Sequence, residues 1–310
     1  MISEPIALVC TCEIAGRVRG KGFPVTDLSA RLKSGVGWVP TNTMISALGP
    51  IADTAFGATG DLILVPDPAT ELKVDCEDGS APEHFFLGDI RTTAGIAWEC
   101  CPRDFLRRAL AALKDVAGLE LHSVFEQEFV YTGVEDHPGS PYSLESFRRQ
   151  GSFGGALLAA LRAAGLEPDS FLPEYGARQY EVTTGPATGI AAADNAIKMR
   201  EMARAVAHRL GHRAIFSPML DPDGADLGLS GRAGSGSEPA RLSGARSAGL
   251  RSDPSVQHRI PSGGRHRKPL SGPRRNCVGR RRWHSQGPWP AAPAQRRRHA
   301  GRGAPGRRHR

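Results

Sequence analysis

The sequence predicts an α+β protein with a basic tail, and three observations carry this prediction. Residues 1–98 contain short apolar runs closed by turn residues, which is typical of strands in a small mixed module. Residues 99–223 alternate between helical and extended patterns, which suggests an α/β domain that has begun but is incomplete. Residues 224–310 lose this patterning. We therefore predict two folded domains, 1–98 and 99–223, and a tail, 224–310.

The elements of the first domain follow from apolar runs and turn residues. Residues 61–65 are an apolar run followed by Pro66-Asp67-Pro68, which predicts a strand and a turn. Residues 83–90 predict another strand. Residues 27–33 predict a short helix with Asp27 as its N-cap.

The second domain starts with a helix that Pro102 opens and Gly118 ends. Apolar residues recur in it at helical spacing. The later segments are predicted in order as a strand at 119–131, one helix at 143–164, extended chain at 171–184, a helix at 191–210 and a strand at 212–217.

Charge is divided unevenly along the chain. Residues 224–310 hold 19 Arg and one Lys against three acidic residues, a net charge of +17 that leaves residues 1–223 at −9. The tail contains no Phe, no Tyr and one Ile, so it buries too little apolar area to offset the entropy of ordering. We predict that the tail is disordered.

Nothing in the sequence indicates a membrane or secretory protein. No stretch approaches the roughly 20 apolar residues of a membrane span, and the apolar run 6–10 is too short for a signal peptide. The six cysteines do not have the paired spacing of a zinc site. We expect a soluble, cytoplasmic protein that does not contact membranes.

Two segments carry candidate metal ligands. Glu126 and Glu128 alternate on a predicted strand and would share one face, although this spacing alone favours an ordinary solvated strand face. Glu174 and Glu181 bracket Gln179 in the next extended segment. Together the four carboxylates could converge on a hard divalent cation, for which oxygen ligands suit Mg²⁺ or Mn²⁺.

These segments resemble the glutamine synthetase family. Glu126-x-Glu128-Phe129 is similar to that family's Glu-x-Glu-Phe strand, and the segment from Glu174 to Glu181 looks like its second metal segment. The resemblance runs through residues 5–223 in the correct order. It is closest to the branch that joins glutamate to amines, without excluding members that use ammonia.

The resemblance implies a fold, a reaction and partners. Residues 1–98 would be a β-grasp domain, and residues from 99 would begin a catalytic half-barrel. Glu128, Glu174 and Glu181 would hold the metal nearest glutamate, and Glu126 would be a ligand of the metal at the ATP phosphates. ATP would phosphorylate the γ-carboxylate of glutamate, and ammonia or an amine would displace phosphate. Family members assemble as homo-oligomers of two stacked rings.

The tail departs from the family. The resemblance requires a Gly-rich segment with a His-x-His pair after residue 224, and no such pair occurs there. We therefore hypothesise that the reading frame changes near residues 224–226, and we expect little or no ligase activity and poor solubility. Arg178 also stands where the family often has Gly, beside the metal carboxylates.

Two other functions remain open. The Arg-rich tail could be a nucleic-acid-binding arm, although nonspecific binding is expected from its charge alone. The chain could also be an inactive paralogue that assembles with intact subunits. Salt-dependent RNA binding that is lost on deleting residues 224–310 would support the nucleic-acid-binding arm. Co-purification with a full-length homologue would support the inactive paralogue.

Overall fold

The computed structural model describes residues 2–54, 56, 60–135, 141–217, 245–246 and 250–252. All of them belong to the first of two units, residues 1–258, and the second unit, residues 259–310, lies outside the described residues.

The first domain is built on a six-stranded sheet. Its path is β2-β1-β6-β4-β3, with β5 paired to β6, and only the β1–β6 pair is parallel among these strands. Strand β4 is apolar throughout, and its residues alternate between buried and half-buried, so that one face of this strand is fully covered. The strands are β1 (Ile6–Cys12), β2 (Val18–Pro24), β3 (Val36–Trp38), β4 (Leu62–Pro66), β5 (Leu72–Val74) and β6 (Glu83–Thr92), with the helix α1 (Leu28–Ser34) between β2 and β3.

The strands predicted at 61–65 and 83–90 are confirmed as β4 and β6. The helix predicted at 27–33 is confirmed as α1, but the predicted cap is wrong. Asp27 occupies the N-cap position, yet its side chain makes no capping hydrogen bond, because a 3₁₀ turn at Val25–Asp27 leads directly into the helix.

The second sheet is antiparallel and centres on one 13-residue strand, β7. The path is β10-β7-β9-β8, and β11, β12 and β13 also pair with β7. Three longer helices and one short helix accompany it. The elements are α2 (Pro102–Ala117), β7 (Leu119–Tyr131), α3 (Leu144–Arg149), α4 (Phe153–Ala163), β8 (Pro168–Pro173), β9 (Gln179–Thr184), β10 (Ala187–Thr188), α5 (Ile190–Arg209), β11 (Ala214–Ile215), β12 (Ala245–Arg246) and β13 (Leu250–Ser252).

Most elements predicted for this domain are confirmed, with two corrections. Helix α2 and strand β7 have the predicted bounds, and Gly118 ends α2 in the left-handed region. The single helix predicted at 143–164 is wrong, because the chain breaks at Gly151, where φ is +62°, and α3 and α4 form separately. The strand predicted at 212–217 is shorter and reduces to β11.

The two faces of the β7–β9 pair differ in chemistry. One face is apolar and packs on α4 and α5, as Phe129 and Val182 are almost fully buried against Leu157 and Met202. The other face carries the glutamates, since successive side chains of a strand point in opposite directions. The alternating sequence of β7 therefore produces both a core and a polar surface.

Arg103 joins the first domain to the second. Its buried guanidinium donates to Asp194 on α5 at 2.9 and 2.7 Å, to Asp89 on β6 at 2.8 Å and to Asp67 at 2.9 Å. Although burial works against the charge, these carboxylates raise the pKa of Arg103. The Arg103 centre, defined by these four residues, fixes α2 and α5 to the first sheet.

Five residues of the predicted disordered tail are described, and they form β12 and β13 along β7. A long strand offers unpaired backbone donors and acceptors to such segments. The rest of residues 224–310 lies outside the described residues, so the disorder of the tail stays a prediction. Among the described helices, none is both long and apolar enough to span a bilayer.

Candidate active site

The antiparallel register of β7 and β9 brings the two predicted acidic segments together. Glu128 lies directly opposite Glu181, and Glu126 lies opposite Thr183. Directly opposed residues of an antiparallel pair point to the same face, with Cβ atoms about 5 Å apart. Glu126, Glu128 and Glu181 therefore share the polar face of the sheet.

Glu174 reaches the same place from the turn between β8 and β9. Its side chain is buried, and it accepts hydrogen bonds from the Tyr142 hydroxyl and from the backbone N–H of Tyr175, both at 3.3 Å. Its charge acts on Glu128 across the face. The four predicted ligands thus form one group, which we call the carboxylate cluster: Glu126, Glu128, Glu174 and Glu181.

Gln179 holds Glu128 within this cluster. Its Nε2 donates to Oε2 of Glu128 at 2.6 Å, and its own Oε1 accepts from the backbone N–H of Gly176 at 2.9 Å. The Gln179 side chain is 2% exposed. Because both ends of the amide are engaged, Gln179 fixes the orientation of the Glu128 carboxylate.

The cluster is electrostatically strained. Burial first, and then the neighbouring charges of Glu174 and Glu126, raise the pKa of Glu128 to about 7, against the lowering effect of the hydrogen bond from Gln179. Carboxylates that repel one another at a half-buried surface are stabilised by a proton or by a cation. The donor set therefore fits a hard divalent ion.

The ligands are not closed around a common point. Within the described part of the chain, no three His, Cys, Asp or Glu side chains stand in the arrangement of a metal centre. The oxygen-only chemistry of the cluster still matches Mg²⁺ or Mn²⁺, which oxygen ligands bind preferentially. The individual metal roles of the four glutamates stay predictions.

One cavity that two helices line lies away from the carboxylate cluster. It measures about 430 Å³ and lies between α4, α5 and the loop that follows β5. Its walls include Cys76, Asp78, Ala160 and Arg209 and none of the four glutamates. The carboxylate cluster, on the polar face of the sheet, is therefore separate from this cavity.

Sequence reasoning missed Tyr142 and the contact that Gln179 makes with Glu128. Tyr142 contacts Glu174 from 32 residues away, and its backbone φ of +57° is uncommon for a non-glycine residue. The link from Gln179 to Glu128 spans 51 residues. No local spacing signals either contact, since both depend on how distant segments pair.

Comparisons with known proteins identify the family of the chain. The family model for the glutamine synthetase N-terminal domain matches residues 3–98, and the model for the glutamine synthetase catalytic domain matches residues 99–228. The crystal structure of a novel glutamine synthase homolog is similar, with 38% identity and a TM-score of 0.68 over 72% of this chain and 53% of that one.

Two curated relatives extend the comparison. Gamma-glutamylpolyamine synthetase GlnA3 of Streptomyces coelicolor is 30% identical over 218 residues, which are 67% of this chain and 46% of the relative. Type-1 glutamine synthetase 1 of Dictyostelium discoideum is 29% identical over 237 residues, which are 68% of this chain and 47% of the relative. The chain therefore spans about half the length of the curated relatives it matches.

Both matched models describe one class of enzyme, the ligases of the glutamine synthetase type. The chain belongs to the glutamine synthetase family. The mixed α/β architecture expected from the sequence is confirmed by the structural similarity. The finer assignments, a β-grasp domain and a catalytic half-barrel, stay predictions.

Proposed function

We propose that residues 2–217 form the metal- and glutamate-binding part of an ATP-dependent ligase that joins the γ-carboxylate of glutamate to ammonia or an amine. The carboxylate cluster supports this proposal most directly, because the β7–β9 register gathers three of its members on one face of a domain matched to the family's catalytic model, and Glu174 joins them from the turn before β9. Glutamates on an ordinary solvated strand face would be exposed, whereas Glu174 and Glu181 are each less than a tenth exposed.

The residues present would hold two divalent ions. Following the family resemblance, Glu128, Glu174 and Glu181 would bind the ion beside glutamate, and Glu126 would be one ligand of the ion at the ATP phosphates. Such ions, Mg²⁺ or Mn²⁺, offset negative charge on a transferring phosphoryl group and align it. The raised pKa of Glu128 is the cost of keeping these carboxylates together before an ion binds.

The surrounding residues orient the carboxylates. Gln179 fixes Glu128, and the Tyr142 hydroxyl with the Tyr175 N–H fixes Glu174 through a hydrogen bond to each oxygen. Neighbours of this kind set the direction of a metal ligand, and their loss typically lowers metal affinity 10- to 100-fold. The chain's contribution to the reaction is thus to position glutamate and phosphate for attack.

The relative named gamma-glutamylpolyamine synthetase supports an amine as one acceptor class. Arg178 would influence that choice. It immediately precedes Gln179, and its backbone carbonyl accepts from the N–H of Tyr131 at 2.9 Å, so its position beside the cluster is fixed. A cation at this position would disfavour a second positive charge close by, which favours small or singly charged amines.

We infer that this chain turns over slowly or not at all. Its sequence after residue 224 lacks the His-x-His pair that the resemblance requires for the ion at the ATP phosphates. A change of reading frame near residues 224–226 accounts for the abrupt rise in Arg content there. Translation of the coding DNA in the other two frames checks this, and the absence of a Gly-rich His-x-His segment in both would contradict it.

Metal binding tests the proposal independently of turnover. Titration of the purified chain with Mn²⁺, followed by the paramagnetic signal of the free ion, should give a saturable site. Glu181→Gln should weaken it by at least about tenfold, because it removes a charged ligand. Glu145→Gln is the matched control, since Glu145 is an exposed glutamate that pairs with Arg149 on α3.

Equal Mn²⁺ affinity in Glu181→Gln and the unaltered chain would refute the metal assignment. ATP turnover that requires both glutamate and an amine, clearly above background, would instead support the ligase proposal and refute the inferred inactivity.

A further inference from the structure

Four arginines gather where the β1–β2 hairpin meets α5, away from the carboxylate cluster. Arg17 and Arg19 come from the hairpin, and Arg200 and Arg204 stand one turn apart on α5. A Cβ atom placed on Gly16 would lie 3.7 Å from Nη1 of Arg200, so the hairpin tip touches the helix. We call this group the arginine cluster.

Acidic neighbours balance only part of its charge. Glu13 pairs with Arg19 at 3.1 Å. Glu201 accepts from Arg204 at 2.6 Å and lies 3.5 Å from Arg200. Two carboxylates thus face four guanidinium groups, which leaves two positive charges in excess at a junction whose outer edge is the exposed Arg17, a donor to the Ala47 carbonyl at 3.3 Å.

Two buried donors in the cluster make no hydrogen bond. Nε of Arg200 faces Oε1 of Glu201 at 3.5 Å, and Nε of Arg19 faces Oε2 of Glu13 at 3.1 Å, and in neither ion pair is the geometry that of a hydrogen bond. Nη2 of Arg200 donates to the Cys12 sulfur at 3.4 Å, and sulfur is a weak acceptor. Buried donors without acceptors are costly and call for a partner.

The charges also oppose one another. Burial lowers the pKa of Arg204, and the nearby guanidinium groups of Arg200 and Arg17 lower it further, against the effect of Glu201. The ring of Phe216, 5.1 Å from the Arg204 guanidinium, holds this side chain in place. A bound anion would relieve the repulsion and accept hydrogen bonds from guanidinium N–H groups that make none within the described residues.

We propose that Arg17, Arg200 and Arg204 form a binding site for a phosphate group, carried either by inorganic phosphate or by a phosphate monoester. Guanidinium forks match the geometry of phosphate oxygens, and several of them neutralise its double charge. The site joins the first domain to α5, so an anion bound there holds the two domains together. It involves none of the carboxylate cluster and does not depend on the proposed ligase activity.

Cys12 reports on this site locally. Its sulfur contacts Arg200 and is half-buried, whereas Cys100 is exposed and lies elsewhere, at the start of α2. Alkylation of both thiols by iodoacetamide is followed by peptide mass spectrometry on the full chain. EDTA keeps metal sites empty, and KCl holds ionic strength constant. The Arg-rich tail also attracts phosphate, but it cannot shield Cys12 selectively.

Phosphate at about ten times its Kd fills roughly nine-tenths of a site, so alkylation of Cys12 should slow about tenfold. Alkylation of Cys100 should not change. Inorganic phosphate and glycerol 3-phosphate are compared as the two sources, and protection by either one supports the site and identifies what it takes. Absence of protection by both, or equal slowing at Cys12 and Cys100, overturns the proposal.

Variants locate the site. Arg17→Gln and Arg204→Gln leave the contact between Arg200 and Cys12 intact and should raise the phosphate concentration needed for protection about tenfold, the usual effect of losing a charge-assisted hydrogen bond. Arg162→Gln, at an exposed arginine in the last turn of α4, is the control and should change nothing. Unaltered protection in Arg17→Gln and Arg204→Gln also overturns the proposal.

Discussion

The carboxylate cluster and the Arg103 centre bring similar numbers of acidic groups together with opposite electrostatic results. At the Arg103 centre, three aspartates surround one guanidinium, and its hydrogen bonds and charge lower the pKa of Asp67 although burial opposes this. In the carboxylate cluster, burial and neighbouring carboxylates raise the pKa of Glu128 to about 7. Among the described residues, Gln179 donates to Glu128 but brings no positive charge.

The contrast separates a stabilising arrangement from a functional one. A group in which every carboxylate pairs with an arginine of the chain, as at the Arg103 centre, holds elements together. A group whose charges repel lowers stability by itself, and such perturbed groups concentrate where proteins bind ligands or perform chemistry. The balance of charge therefore distinguishes the two clusters better than the count of acidic residues does.

Disrupting the Arg103 centre should cause the largest loss of folding stability. Arg103→Met leaves Asp67, Asp89 and Asp194 without their shared partner, and removing one member of a buried ionic network typically costs about 3–5 kcal/mol. Urea denaturation followed by circular dichroism measures the loss. A cost below about 1 kcal/mol, the range of surface pairs, would mean that the centre does not hold the domains together.

Removing one charge from the carboxylate cluster should raise the stability of the fold by a moderate amount. The pKa of Glu128 is about 7 in the folded chain and near 4.5 when unfolded. Its contribution to stability is therefore complete below pH 4.5 and is lost as the pH rises through 7. At pH 8 in EDTA, Glu128→Gln should be more stable by about 1 kcal/mol, a figure reduced for its partial exposure.

Thermal denaturation between pH 5 and 8 tests this sign. Glu120→Gln is the matched control, because Glu120 lies on the same strand but pairs with Lys114 at the surface. Saturating Mn²⁺ should reverse the difference and favour the unaltered chain. Parallel pH curves for Glu128→Gln and the unaltered chain would show that the cluster is not strained.

The smallest effect should come from an exposed pair near the Arg103 centre. Arg108 pairs with Asp104 at 3.0 Å on α2 and is 55% exposed. Arg108→Ala should cost no more than about 0.5 kcal/mol, as is usual for surface pairs four residues apart. Urea denaturation of Arg108→Ala and Arg103→Met side by side tests whether burial of the arginine, not its charge, determines how much stability is lost. A comparable loss in both would contradict that.

Local patterns predicted the elements that local forces determine. The bounds of α2 and β7 follow from a proline, a glycine and an alternating apolar strand. The break between α3 and α4 escaped prediction because it depends on the positive φ of Gly151 and on Gln150, whose side chain accepts from the N–H of Gly154. Apolar periodicity continues across such a break.

Contacts between distant segments were beyond these patterns. The sequence identified all four glutamates, but their convergence required the register that sets Glu128 against Glu181. The Arg103 centre was not predicted at all, since its aspartates stand 36, 14 and 91 residues away. Side chains that meet across domains leave no periodic signal in the chain.

Strand β7 contributes side chains to the core from one face and to the carboxylate cluster from the other, so both depend on its register. An insertion or deletion of one residue between Leu119 and Glu126 would turn every later side chain of the strand to the opposite face, so that Glu128 would face the helices and Phe129 would face water. Divergent copies of this chain can therefore exchange side chains along β7, but they must preserve its length.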